Sequence, residues 1–222
     1  MNRRNIVAIL LFVSLNIATA LAKQTPVNIS AEANSAWCGE QYLNGYNCST
    51  LPSGTQIYDG VTFDIPATDN AWFADVAAGG GSEPVSVTIP VNVKGVKTIY
   101  TLMNTLWGSS NPGLLTITFT GSDGATWTYD LVTGSDIRDY NNGSYLNTID
   151  CSIPGAVTKT VGQIGTVSGW NNGEGQRLDM QIFELPKSFS GKTLVSVTIN
   201  DNGAPEEQRS FIAAMTVSTL AP

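Results

Sequence analysis

The stretch Leu114–Tyr140, LLTITFTGSDGATWTYDLVTGSDIRDY, decides the fold of this chain. Apolar residues alternate with threonines over 115–120, and the same two-residue period returns over 126–131. This period, carried by β-branched and aromatic residues, is typical of half-buried strands. Residues 121–124, GSDG, provide the positive-φ and Asx-type residues that a hairpin connection needs. The stretch therefore predicts an antiparallel hairpin followed by a polar loop.

Strand-like segments of the same kind continue on both sides of this hairpin, separated by turn residues. The sequence predicts strands over 27–30, 60–66, 85–93, 96–103, 177–185, 194–199 and 211–217, and a weaker one over 157–167. Pro90 indicates a sheet edge or a bulge, whereas the strongly apolar last strand belongs in the centre of a sheet. Many short strands with little helix predict an all-β domain, a sandwich or a barrel. Pairing of the last strand with an early one would give the closure of a jelly roll.

The first 22 residues have the pattern of a secretory signal peptide. Arg3 and Arg4 precede an apolar run from Ile6 to Ile17, and small residues follow up to Ala22. We expect cleavage after Ala22, with cleavage two residues earlier as the alternative. A membrane anchor is the other interpretation, but the run is shorter than the roughly 20 residues that a spanning helix needs. The sequence predicts a secreted, extracellular protein, with periplasmic transit left open and no stable membrane insertion after cleavage.

The remaining 200 residues suit one domain with an N-terminal extension. We expect residues 23–54 to form an extension with a cysteine loop, and residues 55–222 to form the β-sandwich domain. In an oxidising compartment Cys38–Cys48 is the favoured disulfide, because a short glycine-containing loop closes easily. Pairing of Cys151 with either of the other two remains an alternative. If it is left over, Cys151 is interpreted as a buried, inert thiol.

Charge and composition exclude several classes of function. Without residues 1–22 the chain has nine basic and eighteen acidic residues, a net charge of −9. Acidic chains with scattered basic residues are poor partners for nucleic acids or anionic membranes, which favour clustered positive charge. The chain contains no histidine. This excludes Ser-His-Asp and Cys-His catalysis and His-ligated zinc or iron.

An ordered set of short motifs carries a family resemblance. The motifs are Leu51–Gly54, Gly60–Ile65, Thr105–Gly108, Asp136–Tyr140, Gln176–Asp179 and Leu185–Pro186. In this order they resemble a group of exported bacterial domains with a galactose-binding-like β-sandwich, and similar jelly rolls occur as carbohydrate-binding modules of glycosidases. The resemblance covers nearly all of the chain after the cysteine loop and implies a galactose-binding-like jelly roll with a role in carbohydrate binding. Some related chains end in a membrane-spanning sorting tail. This chain ends without one, so we expect its release.

The polar loop after the hairpin is the first candidate site. Arg138 offers bidentate donors to hydroxyls or a carboxylate, and Tyr140 offers a ring face for stacking. We favour the alternative that Arg138 serves as a structural clamp. Its expected partners are the carboxylates of Asp136, Asp139 or Asp179.

The loop 169–176, GWNNGEGQ, is the second candidate site. It combines an aromatic ring, amides and a carboxylate, which are the groups that stack on sugar rings and bond to hydroxyls. An ordinary turn with a tryptophan tucked inward is the equal alternative. The full set of candidate ligand-binding residues is Trp107, Arg138, Tyr140, Trp170, Asn171, Asn172 and Glu174.

Metal binding and catalysis are weaker expectations. Asp201 and Asn202 offer oxygen ligands of the type that Ca²⁺ prefers, without the spacing of a calcium loop, and no other cofactor is expected. Two carboxylate pairs could serve a His-free glycosidase. They are Glu174 with Asp179 and Asp136 with Asp139. Any acidic protein contains such pairs, so we do not expect an enzyme.

The sequence as a whole favours a secreted, non-catalytic protein that binds a glycan or surface polysaccharide. The first alternative is a structural, adhesive or effector protein that binds a host or cell-surface protein through the cysteine loop. The second alternative is the His-free glycosidase.

Overall fold

The structure is a computed structural model that describes residues 23–37, 51–141, 143–150, 152–158, 169–171, 176–203 and 208–219, with 169–171 described by their backbone. The predicted signal peptide, the favoured Cys38–Cys48 disulfide and Cys151 lie outside these residues. So does most of the weak strand predicted over 157–167.

Strands dominate the described chain. They are β1 Gln24–Val27, β2 Gly54–Tyr58, β3 Val61–Ile65, β4 Trp72–Phe73, β5 Val85–Lys94, β6 Thr98–Leu106, β7 Leu115–Gly121, β8 Thr126–Asp130, β9 Gly169–Asn171, β10 Arg177–Glu184, β11 Thr193–Asp201 and β12 Arg209–Ser218. Helix α1 (Ala74–Ala77) has 4 residues. No helix in the described ranges is long and apolar enough to cross a membrane.

Two antiparallel sheets pack against each other. One has the order β1-β12-β6-β10-β9 with β4 also on β12, and the other has the order β5-β11-β7-β8. Apolar residues of both sheets form one core between them, where Ile99 and Phe183 of the first sheet join Phe119 of the second. The predicted all-β sandwich with little helix is therefore confirmed. Its jelly-roll topology and galactose-binding-like family remain predictions.

The first sheet is buried on both faces. Its second face carries another apolar cluster, in which Phe63 of the separate β2–β3 hairpin packs with Phe211 of β12 and Leu102 of β6. All ten residues of β12 are buried. A bulge between Ile212 and Ala214 shifts the register against β6. Burial on both sides explains why 211–217 is a continuous apolar run rather than an alternating one.

The Leu114–Tyr140 hairpin forms as predicted. Phe119 of β7 lies opposite Trp127 of β8, and their rings stack with centroids 5.1 Å apart. On the outer face the hydroxyls of Thr118 and Thr128 lie 3.0 Å apart. The turn places Asp123 at φ 59°, a left-handed conformation that Asp tolerates better than most residues. Pro90 lies on the edge strand β5, as its lack of an amide hydrogen requires.

The first strand differs from its prediction. It spans Gln24–Val27 instead of 27–30 and pairs with the carboxyl half of β12. The strand ends because the Asn28 side-chain oxygen accepts the Ser30 amide at 2.9 Å, an Asx-type turn that competes with the sheet ladder. The described part of the expected N-terminal extension thus adds a strand to the sandwich.

A buried ion pair joins the two sheets. Arg209 at the start of β12 donates from Nη1 to Asp201 Oδ1 at the end of β11, at 2.8 Å, and each side chain is 2% exposed. Asp201 Oδ2 also accepts the amide and the hydroxyl of Ser210 at 2.7 and 2.8 Å. Arg209 Nη2 donates to the carbonyl oxygens of Gly81 and Glu83. Both charges therefore have several partners, which offsets their desolvation.

We predict that Asp201→Asn lowers the free energy of unfolding by about 3 kcal/mol, because Arg209 then keeps its charge in the core without a counter-charge. The control is Asp64→Asn on the exposed side of β3, where a change within about 0.5 kcal/mol is expected. Urea unfolding of both variants measures the difference. Equal losses at the two positions would contradict a role for the pair in holding the sheets together.

Candidate functional site

A cleft of about 200 Å³ opens where β6 ends and the polar loop after the hairpin passes it. Its described lining consists of Leu106, Trp107, Asp139, Tyr140, Asn141, Gly143, Ser144 and Tyr145. The segments are held side by side by backbone bonds, in which Thr105 donates to the Arg138 carbonyl at 3.0 Å and Tyr140 donates to the Thr105 carbonyl at 2.9 Å. The strand end and the loop are therefore one rigid unit below the cleft.

The exposed aromatic side chains of the cleft are Trp107 and Tyr145. They are 37% and 50% exposed, and both line the same cleft. Tyr140 has a different position, because its ring packs edge-on against Trp37 and Phe211 at 5.6 and 6.0 Å in the second core cluster. Tyr140 therefore forms a wall of the cleft, and its predicted stacking face is used inside the protein.

Trp107 has an unusual backbone. Its φ is 54°, a left-handed conformation that is rare for bulky residues and costs of the order of 1–3 kcal/mol. The neighbouring Gly108 is confined, because a Cβ there would collide with the Leu146 carbonyl oxygen and lie 2.9 Å from the Asp139 nitrogen. Strained residues of this kind cluster at functional sites. Here the strain holds an indole at the protein surface.

The Asp139 carboxylate binds the backbone beside Trp107 and the start of the loop that carries Tyr145. Its Oδ2 accepts the Gly108 amide at 3.1 Å, and its Oδ1 accepts the Asn141 amide at 2.8 Å. The side chain is buried, and desolvation raises its pKa, although these backbone donors and Arg177 act in the opposite direction. The carboxylate therefore orients the two sides of the cleft and faces the protein.

Asp136 has a similar structural role in the preceding turn. Its Oδ1 accepts the Val157 amide at 2.8 Å and the Tyr129 hydroxyl at 3.2 Å, and its Oδ2 accepts the Val132 amide at 2.9 Å. Burial and the nearby carboxylate raise the pKa of Tyr129. Asp136 and Asp139 are thus both buried and bonded to the backbone. They do not flank an open space as a glycosidase pair must.

The predicted clamp of Arg138 is confirmed with Asp179 as its partner. Arg138 Nε lies 2.6 Å from Asp179 Oδ2, and Nη2 lies 2.7 Å from Oδ1. This is a bidentate pair of the kind that fixes geometry as well as charge. Asn104 completes it from β6 by donating to Asp179 Oδ2 at 2.8 Å. The side chains of Arg138 and Asp179 are 14% and 2% exposed, so the pair is largely buried, and contact of Arg138 with a ligand stays a prediction.

Arg177 is a component that sequence reasoning missed. Its Nη2 donates to the Asn147 carbonyl at 2.7 Å and to the Asp139 carbonyl at 3.2 Å. Arg138 Nη1 reaches the same Asn147 carbonyl at 3.4 Å. Burial lowers the pKa of Arg177, and the neighbouring positive charge of Arg138 lowers it further. Both guanidinium groups therefore anchor the far end of the loop that carries Tyr145.

The second candidate loop lies one strand further along the sheet. In β9, Asn171 pairs with Arg177 and Trp170 pairs with Leu178. Arg177 in turn donates its amide to the Tyr140 carbonyl at 3.0 Å, so β10 connects the β9 backbone to the segment that forms the cleft. The side chains of Trp170 and Asn171, and residues Asn172 and Glu174, lie outside the described part of the chain.

The predicted Ca²⁺ ligands are engaged elsewhere. Asp201 is bonded to Arg209 and Ser210, and the Asn202 side chain donates to the Gly113 carbonyl. Across the described ranges, no group of three or more His, Cys, Asp or Glu side chains is placed to hold a metal ion. The oxygens of Asp201 therefore already have partners within the protein, in an ion pair with Arg209 and hydrogen bonds to Ser210.

Tyr145, Asn141 and Ser144 are lining residues that the sequence prediction left out. The signal was present, because 141–147, NNGSYLN, combines an aromatic ring with amides, as the loop 169–176 does. The sequence did not show that this loop lies close to Trp107, because Trp107 precedes Tyr145 by nearly forty residues.

No protein-family model matches the chain, and no curated protein matches its sequence.

We predict that Gly108→Ala destabilises the protein and loosens the loop at 139–147, because its methyl group collides with the Leu146 carbonyl. Gly143→Ala is the matched control in the same loop, since no atom lies within 4 Å of its added Cβ. Hydrogen exchange at the amides of Asp139 and Leu146, which bond across this contact, measures the effect. Equal protection in the two variants would contradict the expected role of Gly108.

Proposed function

We propose that this protein is a secreted, non-catalytic carbohydrate-binding protein, and that the sugar binds in the cleft between Trp107 and Tyr145. The observation that carries the proposal is the exposure of these two aromatic rings, 37% and 50%, on one cleft of about 200 Å³. The apolar faces of sugar rings can stack on aromatic side chains.

The polar groups of the cleft suit sugar hydroxyls. Asn141 contributes a side-chain amide to the lining, and Ser144 contributes a hydroxyl. The loop that carries them is fixed at one end by Asp139 and at the other by Arg138 and Arg177 through the Asn147 carbonyl. A site that is rigid before binding loses less entropy when the ligand binds.

The described lining of the cleft offers no exposed pair of carboxyl groups, which supports binding over hydrolysis. Glycoside hydrolysis generally needs two carboxyl groups on opposite sides of the scissile bond. Among the described lining residues Asp139 is the single carboxylate, and both its oxygens accept backbone amides. The cleft, at about 200 Å³, is smaller than the roughly 300–1,000 Å³ of pockets that hold drug-sized ligands. This size suits a single sugar ring of a longer glycan.

A glycan array followed by calorimetry on the best ligand tests the proposal. Trp107→Ala and Tyr145→Ala are each expected to weaken binding about tenfold through the loss of a stacking face, while Tyr145→Phe keeps the ring and most of the affinity. Ile57→Ala, at an exposed residue of the β2–β3 hairpin outside the cleft, is the control. Thermal melts establish that each variant is folded.

Two results would count against this function. One is a flat response across plant, bacterial and host glycans at high protein concentration. The other is binding that both Trp107→Ala and Tyr145→Ala retain at full strength, which would place the sugar elsewhere on the chain.

A further inference from the structure

The lysines of this acidic protein gather at one end of the sandwich. After residue 22 the chain has nine basic residues. Its three arginines, Arg138, Arg177 and Arg209, bond to buried carboxylates or to backbone carbonyls. Of the six lysines that remain, four belong to two turns. They are Lys94 and Lys97 in the turn between β5 and β6, and Lys187 and Lys192 in the turn between β10 and β11.

Backbone bonds join these two turns into one structure. Gly95 donates to the Lys192 carbonyl at 2.8 Å, and Leu185 donates to the Lys97 carbonyl at 2.8 Å. Two further backbone bonds close the longer turn, 186–192, on itself. The Phe189 amide donates to the Pro186 carbonyl, and the Lys192 amide donates to the Phe189 carbonyl. Segments about ninety residues apart in sequence thus hold their lysines at a common end.

Between the two turns lies a cavity of about 300 Å³. Its apolar wall includes the buried Val96 and Phe189 and the half-buried Leu185 and Pro186. Its polar lining includes Lys97, Lys187 and Glu184, whose side chains are exposed. The cavity is of the size at which small-molecule sites begin, and an apolar wall with a few charged groups is the usual lining of such sites.

This cavity is far from the carbohydrate cleft. Lys97 directly precedes β6 and Trp107 directly follows it, so the nine residues of that strand separate the two places. At the rise of an extended strand this is about 30 Å. The two sites lie at opposite ends of the sandwich and share no lining residue.

We propose that the cavity binds a small organic anion, with its carboxylate, phosphate or sulfonate group between Lys97 and Lys187 and its apolar body on the Leu185–Pro186 wall. After residue 22 the chain has a net charge of −9, which repels anions, so a local excess of ammonium groups favours anion binding at this place. Two of the four lysines, Lys97 and Lys187, line the cavity together with a single lining carboxylate, Glu184. The apolar wall then distinguishes an organic anion from an inorganic one.

Three probes separate these contributions in a calorimetric or NMR titration of the full secreted chain. Phenylacetate carries both the anionic group and the apolar body, 2-phenylethanol carries only the apolar body, and acetate carries only the anionic group. Saturable binding is expected for phenylacetate and at least tenfold weaker binding for the other two. Equal affinity for 2-phenylethanol, or no saturation with phenylacetate, would overturn the proposal.

Variants of the charged lining residues test the position of the anion, because some are expected to weaken its binding and one is expected to strengthen it. Lys97→Gln and Lys187→Gln are each expected to weaken phenylacetate binding roughly two- to fivefold, as expected for a partly solvated charge contact. Glu184→Gln removes the repelling carboxylate and is expected to strengthen binding by about twofold. The control is Lys23→Gln, the same change of charge before β1 and outside the cavity.

An equal loss in Lys23→Gln would show a general effect of net charge and overturn the site. Weaker binding in Glu184→Gln would contradict the predicted repulsion and with it the position of the anion. Because the cleft at Trp107 takes no part in these measurements, their result is independent of the carbohydrate proposal.

Discussion

Strand β12 occupies the centre of a sheet whose two faces are both covered, and the rest of the fold follows from that burial. It lies between β1 and β6, with β4 against its first residues, and none of its ten positions is exposed. One face needs the second sheet and the other needs the β2–β3 hairpin with Trp37 and Phe73. A chain of this length can supply both covers because burial increases with domain size.

Burial on two faces also constrains the polar residues of the central strands. Thr101 of β6 donates to Gln181 of β10 at 2.8 Å, and Gln181 donates to the Met103 carbonyl at 3.1 Å. The hydroxyl of Thr216 in β12 donates to the Thr62 carbonyl at 2.5 Å and so ties the hairpin to the sheet. Buried polar groups without such partners would cost 1–3 kcal/mol each. These bonds therefore fix which strand lies beside which.

Two buried ion pairs likewise fix the positions of segments at the ends of the sandwich. Asp201–Arg209 joins the two sheets, and Arg138–Asp179 joins the polar loop to β10. Each pair also binds backbone groups, so its charges hold loops in place as well as each other. The aromatic cleft and the lysine-lined cavity are at opposite ends of this scaffold, and we propose that the first binds sugar rings and the second organic anions.

Local patterns in the sequence were enough to predict most of the longer strands, whereas β1 was displaced and β2, β4 and β9 were not predicted. The period of two marked the β7–β8 hairpin, the position of Pro90 indicated an edge strand, and the apolar run 211–217 indicated a central one, because these signals depend only on near neighbours. Tertiary structure decided which distant residues meet. Arg138 finds Asp179 41 residues away, Trp107 shares a cleft with Tyr145, and lysines that look scattered along the chain converge on one cavity. Periodicity determines which side of a strand a residue occupies, whereas the strand order that brings two loops together depends on the burial of the whole sheet.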